Sequence, residues 1–158
     1  MLTGPPTVRD RLALAVATLM GAGHAPIAPG TVGSAFTAFA LWLVPLPTAV
    51  LTVALVVIIA VGTWAAARAE RVLGGKDPGA IVVDEVAGMI LSVLLVPRTV
   101  PVLVVGFVLF RIFDVTKPYP ARTSQRLAGG VGVMIDDVIA GLYALAVLLV
   151  LHRGLGWL

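Results

Sequence analysis

From Leu12 to Ala67 the chain carries no Asp, Glu, Lys or Arg. A water-soluble domain needs charged side chains at regular intervals to cover its surface, and this stretch supplies none. The remaining sequence agrees: 59% of the 158 residues are hydrophobic and 12% are charged, against about 45–50% and about 25% in soluble domains. The mean hydropathy is +1.07. A chain of this length forms one core, too small to hide so much apolar surface from water. The expected setting is a membrane, with a single domain over residues 1–158.

Pro45-Leu46-Pro47 divides the uncharged stretch into apolar spans at 31–44 and 48–67, an antiparallel helical hairpin closed by a proline turn. Ahead of it, Arg9 and Arg11 precede an apolar run from Leu12 to Ala17. That order also reads as a signal peptide. The Gly/Pro-rich segment from Gly21 to Thr31 favours instead a short interfacial or membrane-entering helix followed by a rigid loop. Three shorter apolar runs follow the charged segment Arg68 to Gly79, and extension to their polar flanks makes helices of 81–97, 99–115 and 131–151. The first two then have 17 residues, about 25 Å at about 1.5 Å per residue, against a hydrocarbon core of about 30 Å. Pro101 suits the first turn of its helix. The fold class expected is all-α, a multi-pass membrane bundle of about five spanning or partly spanning helices plus an N-terminal helix.

Along that path Arg9, Arg11, Arg68, Arg71, Lys76, Arg111, Lys117, Arg122 and Arg126 fall on one side, and Arg98 and Arg153 on the other. The positive-inside bias places the first side in the cytoplasm. Trp42, Trp64 and Trp157 read as interfacial or lipid-facing anchors. The net charge of +3 is scattered between apolar runs, which suits an anionic membrane surface and gives nucleic acid no patch to bind. The absence of cysteine excludes disulfides, thiolate metal sites and cysteine-phosphatase chemistry.

The acidic residues are the unusual feature. Asp84 and Glu85 start the third span, Asp114 ends the fourth, and Asp136 and Asp137 start the fifth, all on the cytoplasmic side. Five carboxylates at one depth repel each other unless cations intervene. Oxygen donors without Cys or grouped His favour Mg²⁺, with Mn²⁺ or Ca²⁺ as alternatives. The plainer alternative makes Asp84, Asp136 and Asp137 helix caps and Arg111 with Asp114 an i,i+3 ion pair. Arg111, Asp114 and Lys117 share one helical face before Pro118 and Pro120 stop the helix, and the two cations suit phosphate oxygens. Thr31 and Ser34 either cap the first span or bind phosphate. The glycines from Gly129 to Gly132 lack a Walker lysine or a Rossmann context. Gly88 and Gly141, each four residues after an acid, permit close helix packing. His24 and His152 receive no role.

Four segments in order carry a resemblance: Gly21-x-Gly23-x-x-Pro26-x-Ala28-Pro29-Gly30-Thr31-x-Gly33-Ser34, Ile81-Val82-Val83-Asp84-Glu85-x-x-Gly88, Phe110-Arg111-x-Phe113-Asp114-x-x-Lys117-Pro118-x-Pro120, and Gly129-Gly130-x-Gly132-x-x-x-Asp136-Asp137-x-x-Ala140-Gly141. Together they resemble the phosphatidylglycerophosphatase A family over roughly residues 21–141. The resemblance implies a Mg²⁺-dependent lipid phosphatase of the bacterial inner membrane that converts phosphatidylglycerophosphate to phosphatidylglycerol and inorganic phosphate. It also implies a bundle with one helix surrounded by others. The five carboxylates would then bind one or two Mg²⁺ and activate water, while Arg111 and Lys117 hold phosphate. A cation- or proton-coupled transporter is the alternative, although it would place its acids nearer the membrane midplane.

Overall fold

The computed structural model describes residues 6–154 and 156. Among them are seven α-helices and no strand: α1 (Val8–Ala17), α2 (Pro29–Leu43), α3 (Thr48–Leu73), α4 (Val83–Ser92), α5 (Val100–Thr116), α6 (Ala121–Ser124) and α7 (Gly130–Leu149), which continues as a π turn over Val150–Gly154. By length and composition, α3 and α7 with its continuation are each apolar enough to cross a membrane.

Thr7 starts α1 with a capping box, its side chain accepting from the Asp10 backbone while the Asp10 carboxylate accepts from the Thr7 backbone. The buried Ala13 and Ala17 allow α1 to pack closely on α3, whose Ala65, Ala66 and Ala69 are equally buried. Arg68 of α3 completes the seam with an ion pair to Asp10 at 3.0 Å. At the end of α1 the Ala17 carbonyl accepts from the Val82 backbone at 2.8 Å, which ties this seam to the entry of α4.

The first span begins two residues earlier than the pattern suggested. Pro29 occupies the first turn of α2 and Ala28 precedes it in the left-handed region, φ 47°, with no side-chain cap. Thr31 and Ser34 are therefore not caps. The Ser34 hydroxyl is buried and donates to the Gly30 carbonyl one turn back, at 2.7 Å. The turn over Pro45–Pro47 reverses the chain into α3 as expected, and Arg98 donates to the Leu46 carbonyl to hold it.

The third span differs most. A helix over 81–97 was expected, but α4 has ten residues, about 15 Å, half of a hydrocarbon core. It ends where the Ser92 hydroxyl takes the Met89 carbonyl at 2.8 Å. The chain then continues through turns with Val93, Leu94 and Val96 still buried, until Pro97. Such a short helix is the hub of the bundle: α4 packs on α2, α3, α5 and α7, and Val83, Ala87, Met89 and Ile90 are all buried. Outer surfaces are apolar, with Val50, Val53, Val56, Val57 and Val61 of α3 exposed. Trp42 and Trp64 are also exposed; Trp157 lies outside the described residues.

Candidate metal and phosphate site

Two glycines position the site. A Cβ on Gly141 would lie 2.5 Å from the Gly88 carbonyl oxygen, and one on Gly88 would lie 2.8 Å from the Asp137 carbonyl oxygen. Only without those atoms can α4 and α7 come together. Asp84 and Asp137 each sit four residues, about one turn, before their glycine, so the contact brings the two carboxylates side by side. Glu85 follows on α4, and the first turn of α2 closes over it: a Cβ on Gly30 would collide with the Glu85 Oε1.

One oxygen each from Asp84, Glu85 and Asp137 lies within 4.8 Å of the others. Asp84 Oδ1, Glu85 Oε2 and Asp137 Oδ2 are buried without a hydrogen-bond partner. Three crowded carboxylates with open oxygens fit a hard divalent cation, which would supply the partners that each oxygen lacks. Asp84 and Asp137 are 6% and 2% exposed, too enclosed for water alone to screen them.

Asp114 and Asp136 are held differently. Arg111 Nη1 lies 2.6 Å from Asp114 and 3.8 Å from Glu85. It makes the ion pair without a hydrogen bond to match. Lys117 Nζ lies 3.2 Å from the other Asp114 oxygen and also binds Asp136 Oδ2. The same Asp136 oxygen accepts from Gln125 Nε2 at 2.9 Å, while Asp136 Oδ1 is buried and open. A chain Glu85–Arg111–Asp114–Lys117–Asp136 thus borders the trio. Lys117 caps α5 at φ 43°, a left-handed position for a side-chain-bearing residue. Burial pulls its ammonium pKa down, but the hydrogen bond and charge of Asp136 outweigh burial and hold it above its ordinary 10.5.

All five predicted carboxylates and both predicted cations meet in one network. Of the helix-cap alternative only the Arg111–Asp114 pair is present: Val82 and Gly129 precede α4 and α7, and Asp136 and Asp137 lie more than one turn inside α7. Thr31 faces the site's edge beside Arg111; Ser34 is turned into α2. Gln125 was missed, because nothing in its spacing ties it to Asp136 before α6 folds back on α7. A cleft lined by Lys76, Asp77, Arg122, Gln125 and Arg126 adjoins it. The Tyr143 hydroxyl steadies the turn between α5 and α6 by donating to the Tyr119 carbonyl at 2.7 Å.

The phosphatidylglycerophosphatase A family model matches residues 15–152, which include every site residue named above. A Bacteroides thetaiotaomicron protein provisionally named a phosphatidylinositol-3-phosphatase is 38% identical over 92% of this chain and 96% of its own length. The Escherichia coli phosphatidylglycerophosphatase A is 36% identical over 81% of this chain and 76% of its own. Its Haemophilus influenzae namesake is 36% identical over 54% of each chain. No solved structure matches. These matches leave the transporter alternative without support. With its four motifs gathered about one buried acidic cluster, this chain belongs to the phosphatidylglycerophosphatase A family.

Proposed function

We propose that the chain is a single-domain, multi-pass protein of the bacterial inner membrane. It hydrolyses the terminal phosphate monoester of phosphatidylglycerophosphate at a Mg²⁺ site facing the cytoplasm. The observation that carries this reading is the trio Asp84, Glu85 and Asp137, with three open buried oxygens beside two cations. Family membership supplies the reaction class, the apolar exterior supports the membrane, and the distribution of Lys and Arg supports the cytoplasmic side.

A divalent cation bound by the trio supplies charge neutralisation and Lewis acidity to a phosphate ester. Arg111 and Lys117 present N–H donors to phosphate oxygens; Asp114 orients both, and Asp136 orients Lys117. In hydrolysis the oxygen of water bonds to phosphorus as the bond from phosphorus to the glycerol oxygen breaks. One water proton passes to a carboxylate oxygen of the cluster that the cation leaves free, and the departing glycerol oxygen takes up a proton from solvent. The low-dielectric pocket strengthens each of these contacts.

The test is phosphate release by the purified protein in detergent micelles, with Mg²⁺ and with EDTA. Release from phosphatidylglycerophosphate that stops with EDTA and returns with Mg²⁺ is expected. Equal release with EDTA, or full activity in Asp137→Asn, would overturn the reading. The same assay on phosphatidylinositol 3-phosphate decides between the activities for which the relatives are named.

A further inference from the structure

The mechanism leaves the apolar groove between α2 and α5 without a role. On α2 the residues Ala35, Ala38, Phe39 and Trp42, and on α5 Val100, Leu103, Val104 and Phe107, line a cleft of about 350 Å³. Each set follows helical i, i+3, i+4, i+7 spacing, so each is one continuous stripe. Phe107 also belongs to a second cleft, which runs on to Thr31 and Arg111. The two meet at Phe107 and together follow the groove between the antiparallel helices α2 and α5. It extends about 16 Å along α5 from Val100 to Arg111, at about 1.5 Å per residue.

Its two ends differ in chemistry. The outer end is wholly apolar. The inner end is the Arg111 guanidinium, 3.8 Å from Glu85 of the acidic trio, with the first turn of α2 pressed against both: a Cβ on Gly30 would lie 3.1 Å from Arg111 Nη1. The apolar cleft between α2 and α3, lined by Phe36, Leu41, Leu51 and Ile90 among others, reaches no site residue. Among the described residues, the α2–α5 groove pairs an apolar trough with a cation at the reaction site, which is the pattern of an amphiphile with an anionic head and a hydrocarbon tail.

We propose that the α2–α5 groove holds one acyl chain of the phosphate-bearing lipid whose headgroup lies at Arg111 and the acidic trio. The inference rests on the lipid-phosphatase reading. The groove sets the register of the substrate: a chain seated there draws the headgroup inward past Thr31 and fixes how far the phosphate reaches. Headgroup chemistry then takes place at a defined depth without the tail leaving its apolar surroundings.

Ala35→Trp and Val104→Trp each fill the groove from an exposed position, and Val53→Trp adds the same bulk to the exposed face of α3. The quantity to measure is the ratio of kcat/KM for diacyl phosphatidylglycerophosphate to that for its deacylated headgroup. Both groove variants should lower this ratio at least tenfold, and Val53→Trp should leave it at the wild-type value. An unchanged ratio in the groove variants, or an equal fall in Val53→Trp, overturns the proposal. A second readout does not depend on turnover: a phosphatidic acid with a diazirine at the end of one acyl chain is photolysed with the wild-type protein. Labelling concentrated on the α2 and α5 stripes, and lost in Ala35→Trp, supports the groove. Labelling spread over the exterior of α3 refutes it, even if the wild type releases no phosphate from any lipid and the phosphatase reading itself falls.

Discussion

The five acids of the site divide into two kinds. Asp84, Glu85 and Asp137 face one another with open oxygens, whereas Asp114 and Asp136 are neutralised by Arg111 and Lys117. Carboxylates of one cluster thus have opposite electrostatic standing. Carboxylates already paired with protein cations are poor metal ligands but good positioners of those cations. The trio, touched by one protein cation only at Glu85, where Arg111 stands 3.8 Å away, is destabilising by itself and becomes useful with a cation from outside.

Exchanging an acid for its amide tests this division most severely. Asp84→Asn and Asp137→Asn should each reduce kcat by 10³-fold or more, about 4 kcal/mol of barrier, while Asp114→Asn and Asp136→Asn reduce it about 10- to 100-fold by loosening Arg111 and Lys117. Stability in EDTA should move in opposite directions. Removing a charge from the trio relieves repulsion, so Asp84→Asn melts above the wild type. Asp136→Asn takes one of two carboxylate partners from Lys117 and melts below it, by about 1.5–3 kcal/mol. Thermal melts of purified variants decide this, and shifts of the same sign would erase the distinction between the two groups.

Metal linkage is the next largest effect. Mg²⁺ at 100 times its dissociation constant should stabilise the wild type by about 2.7 kcal/mol. Asp114→Asn should keep that gain and Asp137→Asn should lose it, as read by melting with and without the ion. Loss in both would make Asp114 a ligand and place all five acids in one metal site.

Much of this division was beyond the sequence. The charge-free stretch and the prolines marked α2, α3 and their turn, because span length and proline geometry act locally. The shortness of α4 was not legible: Val93 to Val96 are as apolar as a helix requires, and the helix ends where Ser92 claims a carbonyl and Val93, Leu94 and Val96 are buried in turns. That the five acids would come together was legible, since each lies toward the same side of the alternating path of apolar runs. Its internal pairing was not, because Lys117 reaches Asp136 only after α6 folds back and the left-handed cap turns the chain. The glycine spacing was legible and has a measurable consequence. Gly141→Ala places a methyl 2.5 Å from the Gly88 carbonyl, an overpacking of about 1–3 kcal/mol. By parting α4 from α7 it should weaken Mg²⁺ stabilisation as well as lower the melting temperature, whereas Ala128→Gly, on the exposed loop before α7, should leave Mg²⁺ stabilisation intact.

The smallest effect belongs to a third acid, which is paired like Asp114 but lies in the α1–α3 seam. Asp10 accepts from Thr7 and pairs with Arg68, and the Thr7 hydrogen bonds, followed by Arg68, hold its carboxyl below the ordinary 3.8. A group lowered in this way contributes its stability above 3.8 and loses it as pH falls through the lowered value. The melting-temperature gap between wild type and Asp10→Asn should therefore hold from neutral pH down to about 3.8 and close below it. Thr7→Ala, which removes the side-chain cap, should destabilise by about 1 kcal/mol and leave turnover per folded molecule unchanged. If Thr7→Ala also lowers kcat, the α1–α3 seam reaches the site through the Ala17–Val82 hydrogen bond, and the acid–cation pairing there belongs with that of Asp114 and Asp136 as a positioner of α4.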